Sequence, residues 1–149
     1  MAADIYVKEA QSSPLNAVEA GEVIEEGAFI SLNSGGNVVN ADPGNGAPVD
    51  GIVPNRERGP QIREHEEDYS PEQYEAGDGP VPFHQLEDGM ELTQQALTAA
   101  AAIDMFEPVA LDASLQAVPA SSADAVSETL GRALQGVAAG EGVHVRVGL

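Results

Sequence analysis

The residues best suited to acid–base or metal chemistry are three histidines, and none stands in a pattern that would carry it. His65 lies in Arg63-Glu64-His65-Glu66-Glu67-Asp68. A His-based zinc site wants a second histidine three or four residues away, and there is none, so a solvated charge cluster is expected. His84 is isolated, and His144 falls on the polar side of an alternating segment, where exposure is expected. Ser34-Gly35-Gly36 does not complete the Gly-x-Ser-x-Gly elbow that presents a nucleophilic serine. Asn40-Ala41-Asp42-Pro43-Gly44-Asn45-Gly46 has the flavour of a calcium loop but lacks the spacing and the closing glutamate. Its Asp, Pro and Gly residues are turn formers. The chain has no cysteine, which excludes disulfides, thiolate zinc sites and a cysteine nucleophile. With 25 Asp plus Glu, no carboxylate pair stands out as acid and base, and no glycine-rich phosphate cradle follows a strand. The expectation is a protein without catalytic residues, cofactor or metal, and not an enzyme.

Charge narrows the partners. Six Lys plus Arg against 25 acids give a net charge of -19 over 149 residues. Such a surface repels phosphate backbones and anionic bilayers, so neither nucleic acid nor membrane is expected as a partner. The N-terminus lacks a basic region followed by an apolar stretch, and no run nears eighteen apolar residues. Neither a signal peptide nor a transmembrane helix is therefore expected. Lys8 is the only lysine, and the apolar fraction rests on 23 alanines and 15 valines with six large aromatics. Acid-rich, lysine-poor composition built on small apolar residues suits near-saturated salt, where a Debye length of about 3 Å or less screens carboxylate self-repulsion.

The elements follow from pattern. Gly142-Val143-His144-Val145-Arg146-Val147-Gly148 alternates strictly and reads as a half-buried strand. Phe29 to Leu32 and Val38 to Ala41 flank Asn33-Ser34-Gly35-Gly36-Asn37, a hairpin connection with glycines able to take positive φ. An offset of 79 lays this hairpin on Val109 to Leu111 and Ala117-Val118. Their connection, Asp112-Ala113-Ser114-Leu115-Gln116, lacks glycine, so its turn is expected to differ in type or to be carried by Asp112. One further residue of slippage brings Gly51-Ile52-Val53 onto Gly131-Arg132-Ala133, and 128–134 is read as a strand although Val126, Leu130, Leu134 and Val137 have helical spacing. The expected organisation is an extended arm over 1–20 and one β-rich domain over 21–149, with an internal repeat (21–53 and 100–134). Residues 54–80 hold four prolines, eight acids and almost no aliphatic residue, so they form a polar excursion. Glu91 to Ala102 is rich in helix formers and free of breakers, and predicts one short helix.

Several of these segments together resemble a known family. They are Phe106-Glu107-Pro108-Val109-Ala110-Leu111-Asp112, Val118-Pro119-Ala120, Leu130-Gly131-Arg132-Ala133-Leu134 and Ala138 to Val147. The chain is similar there to the head decoration (cement) proteins of tailed viruses, typified by the phage lambda decoration protein. The likeness is clearest over 101–149, weaker over 20–53, and rests on strand-and-turn grammar rather than on chemical signatures. With the salt-adapted composition it points to a tailed virus of halophilic archaea. The resemblance implies a mainly β fold, a small β-barrel or β-tulip-like domain. It implies a homotrimer on the outer capsid surface of the virion, assembled in the host cytoplasm, clamping neighbouring copies of the major capsid protein. It also implies an N-terminal arm that adds a strand to the capsid, a role falling here to Ile5, Tyr6 and Val7. The long excursion departs from the compact family pattern. Glu19 to Gly27 is also similar to the opening of a biotinyl or lipoyl carrier barrel, but the lysine such a carrier needs at a hairpin tip is missing.

Two rivals remain. One is a halophilic cytosolic small-molecule-binding β-barrel with the 54–80 loop as a lid. The other is an enzyme of unrecognised type using the acid-rich loop. If the capsid reading holds and the capsid is equally acidic, contact must rest on apolar and backbone interactions and should loosen as salt falls.

Overall fold

The computed structural model describes residues 6–8, 15–54 and 73–148. Ile5, His65 and the charged stretch around it lie outside the described residues. The described chain is mainly β. Its strands are β1 (Val7–Lys8), β2 (Leu15–Val18), β3 (Ile24–Glu25), β4 (Phe29–Leu32), β5 (Val38–Asn40), β6 (Gly51–Ile52) and β7 (Gln73–Tyr74). They continue with β8 (Val81–Gln85), β9 (Glu91–Leu92), β10 (Pro108–Leu111), β11 (Ala117–Pro119), β12 (Gly131–Ala133) and β13 (Val145–Val147). A single 3-10 turn, Pro43–Asn45, is the only helical element among the described residues.

Five strands form one sheet in the order β2-β8-β6-β4-β5, and six form another in the order β1-β9-β13-β12-β10-β11. Without β1, the two orders have the same pattern, and so do the registers. Ile30↔Asn40 and Leu32↔Val38 in the first match Val109↔Pro119 and Leu111↔Ala117 in the second. Ile30↔Gly51 matches Val109↔Gly131, and Ile52↔His84 matches Arg132↔Arg146. Parallel bridges Ala20↔Val38 and Ala99↔Ala117 correspond as well. The chain is thus laid out as two like units, β2–β8 and β9–β13, with β1 added outside β9.

Alternation within each strand divides the core. Ile30, Val53, Val38, Ala20, Ile24 and Phe83 pack together in the first unit. Their counterparts Val109, Ala133, Ala117, Ala99, Ile103 and Val145 pack in the second. Most second-unit residues are the smaller of the pair, and their cluster is completed from outside. Phe29, Ala41 and Ile52 of the first unit join it, as do Val7 of β1 and Tyr6 just before it. Phe29 and Ile30 are neighbours in β4, so successive side chains serve two different cores.

The expected helix over 91–102 is not formed. Leu92 pairs with Val145 and Val7, Thr98 bridges Gly142, and Ala99 bridges Ala117. A twelve-residue helix is marginal on propensity alone, worth tenths of a kcal/mol per residue. The buried residues Leu92, Leu97, Ala99 and Ile103 do not follow a helical stripe, so sheet pairing and burial prevail. The excursion is also shorter than expected at its C-terminal side. Gln73–Tyr74 pairs with Ile24–Glu25, and Tyr74 is buried. Residues 55–72 lie outside the described residues.

The glycine-free turn keeps the glycine turn's type. Asn33 Oδ1 accepts from the backbone N–H groups of Gly35 and Asn37, and Asp112 Oδ1 accepts from those of Ser114 and Gln116. Gly36 has φ +82°, and Leu115 takes the same left-handed region at +62°. Asp112 therefore carries the turn, and a leucine bears the strain that glycine avoids.

Candidate functional site

The residues singled out by sequence are dispersed. Tyr6 and Val7 are buried in the chain's own core rather than reaching away from it, with β1 paired to β9 through Val7↔Leu92 and Lys8↔Glu91. The Tyr6 ring lies over Gly27, where a Cβ would stand 2.6 Å from Cε1. In the loop resembling a calcium site, both Asp42 carboxylate oxygens accept from Asn45 Nδ2, at 3.1 and 3.0 Å, so the aspartate serves the turn. Among the described residues no group of three or more His, Asp or Glu is placed to hold a metal ion, and no helix is long and apolar enough to cross a membrane.

Three features could engage a partner. The first is sheet edges. The outer side of β2 pairs with no described strand, whereas the equivalent side of β9 is covered by β1. An edge of this kind offers unpaired N–H and C=O groups to another strand.

The second is a groove of about 440 Å³ at the seam between the units, lined by Pro48, Val49 and Leu86 on one side and Val126, Glu128 and Leu130 on the other. Asp88 is its second carboxylate, and no cation or histidine lines it.

The third is the outer face of the six-stranded sheet. His144 Nε2 stands 2.6 Å from Glu91 Oε1, and Arg146 Nη2 stands 3.5 Å from Glu91 Oε2. Glu91 is largely covered while Arg146 is more than half exposed, so the carboxylate is the inner member of the cluster. His144 is half-buried instead of exposed as its polar-side position suggested. Beside it, Arg132 Nη1 donates to the Phe106 carbonyl at 3.1 Å. Phe106 sits in an exposed turn with φ +64°, next to exposed Met105. Sequence reasoning missed this face because its members lie far apart in the chain. The available signal was that Arg132 and Arg146 each occupy the outward position between two buried neighbours.

No family model, curated protein or solved structure matches the chain.

Proposed function

We propose that the protein is a structural, non-enzymatic component of a virion that binds the outer surface of a viral head and clamps neighbouring major capsid subunits, as a homotrimer on the shell. The observation that carries this reading is strand addition at a sheet edge. β1, only Val7–Lys8, is recruited to β9, while the equivalent edge on β2 has no described partner. Edge pairing of this kind supplies backbone hydrogen bonds without needing a charged contact, which suits two acidic surfaces in brine. Weak contacts suffice when many copies act on one closed shell. The β-barrel or tulip-like form belongs to the same proposal, supported by the mainly β, antiparallel organisation.

The test is co-sedimentation with expanded shells stripped of decoration protein, in molar salt. Retention at a fixed ratio to the major capsid protein is expected, and failure to bind sinks the reading. Tyr6 and Val7 of the expected arm Ile5, Tyr6 and Val7 are held in the chain's own core, so the edge to test is β2: a still-folded Asn16→Pro variant that binds shells at full strength would show that this edge does not carry the contact.

The groove favours a second reading, a small-molecule-binding β domain in the cytosol of a halophile. Its volume falls within the ~300–1,000 Å³ common for ligand sites. With Asp88 and Glu128 in its wall, the ligand would be cationic or neutral. A Val126→Trp variant that fills the groove while shell binding persists separates the two readings.

A further inference from the structure

The chain has six cations, and the three within the described residues fall in one row across the sheet. Lys8 holds the register position opposite Glu91, Glu91 is opposite Arg146, Arg146 is opposite Arg132, and Arg132 is opposite Pro108. Like charges directly opposite each other on one face destabilise a sheet, so the Arg132↔Arg146 pair is not there for stability. Glu91 is the carboxylate in the row, and it is shared between His144 and Arg146. Arg132 bonds a backbone carbonyl and pairs with no carboxylate among the described residues. In a chain of net charge -19, two arginines, Arg132 and Arg146, stand side by side on this face.

Beside the row stand two large apolar side chains, Met105 at 57% exposure and Phe106 at 59%. Phe106 adopts a left-handed backbone that is unfavourable for a non-glycine residue. Its counterpart in the first unit is Gly27, which makes the same turn: Gly27 N–H donates to Val53 O, and Phe106 N–H donates to Ala133 O.

The like units give this face a precedent. The first-unit positions equivalent to Pro108 and Arg132 are Phe29 and Ile52, and both are buried within the second unit's core cluster. Gly27 lies beneath Tyr6. The corresponding side of the corresponding sheet is therefore packed in the first unit, while in the second it is open and bears arginines.

We propose that this face docks an acidic polypeptide, with its carboxylates on Arg132 and Arg146 and an apolar side chain against Met105 and Phe106. The proposal does not depend on the capsid reading. Charge complementarity selects the occupant: guanidinium forks match carboxylates, and the adjacent apolar turn matches a side chain that a phosphate backbone does not offer. Two or three cations also neutralise too few phosphates to overcome the net charge.

The probes are a fluorescein-labelled peptide of repeated Glu-Leu-Glu-Glu, its Gln-Leu-Gln-Gln match, and oligothymidylate, read by anisotropy. Ionic strength is set so that the Debye length is about 8 Å, which spares direct contacts, and circular dichroism at the same salt checks that the protein is folded. The glutamate peptide is expected to bind about tenfold tighter than its glutamine match. The double substitution Arg132→Gln/Arg146→Gln should erase that difference, and Phe106→Gly should weaken both peptides. Arg146→Gln alone keeps the Arg132 bond to Phe106 and serves if the double variant does not fold, with part of the same loss expected. No binding of the glutamate peptide, or a glutamate preference that survives loss of the arginines, overturns the proposal. Tighter binding of oligothymidylate than of the glutamate peptide overturns it in favour of a phosphate ligand.

Discussion

Gly131→Ala should be the most damaging single-methyl addition in the protein. Gly131 lies in β12, between β10 and β13. A Cβ there would stand 1.8 Å from the Arg146 carbonyl oxygen, 2.7 Å from its carbon and 2.9 Å from Val147 Cα. All three atoms are backbone of β13, so no rotamer change relieves the overlap. Real Cβ contacts essentially never fall under 3.0 Å, and β13 must retreat by about 1 Å. That strains the pairs Gly131↔Val147, Arg132↔Arg146 and Ala133↔Val145. Overpacking costs ~1–3 kcal/mol, and weakening two or so ladder hydrogen bonds adds about 1 kcal/mol each. The sum, ~3–5 kcal/mol, is a large share of the ~5–15 kcal/mol that holds a typical domain. Urea unfolding at constant high salt reads it directly, because urea leaves ionic strength unchanged. Gly51→Ala, at the matching register with His84 O at 2.4 Å, should cost less. Gly35→Ala, whose nearest neighbour is Asn33 Oδ1 at 3.4 Å, should be nearly neutral. A Gly131→Ala cost below ~1 kcal/mol would refute the close approach of β12 and β13 and the register built on it.

Other consequences can be measured on the same material. Phe106→Gly should change stability by less than ~1 kcal/mol, since relief of the left-handed backbone offsets glycine's entropy. Gly27→Ala at the equivalent turn should cost ~1–3 kcal/mol, because the new Cβ meets the Tyr6 ring; a cost near zero would show that Tyr6 does not cover Gly27. Tyr6→Ala should cost ~3 kcal/mol as a buried aromatic truncation, and a cost near zero in urea would show that β1 is not docked. Lowering salt from molar concentration should lower the urea midpoint as the Debye length grows towards ~10 Å and carboxylates repel; a midpoint that rises instead argues against salt adaptation.

The strands that obey simple alternation were readable in sequence. Val143, Val145 and Val147 are buried while His144 and Arg146 point away, as the period of two requires. β8 was not readable, because Pro82 interrupts Val81-Pro82-Phe83-His84-Gln85. Proline is accommodated where the β2–β8 register shifts between Leu15 and Val18, so the missing N–H falls at an irregularity. The 91–102 segment misled because alanine-rich composition reports local propensity, while Ala99 is small for a different reason: it bridges Ala117 within the core. Tyr74 lay hidden in a polar stretch and is placed by pairing with Ile24. The arginine row could not be read from spacing, since Lys8, Glu91, Arg132 and Arg146 meet only through strand order.

The most direct test of the account is electron microscopy of virions paired with quantification of their proteins. Density for this chain is expected on the outer surface of the head, in stoichiometric proportion to the major capsid subunit. Virions whose heads lack it, with the protein found only in the soluble fraction of infected cells, would contradict the central claim.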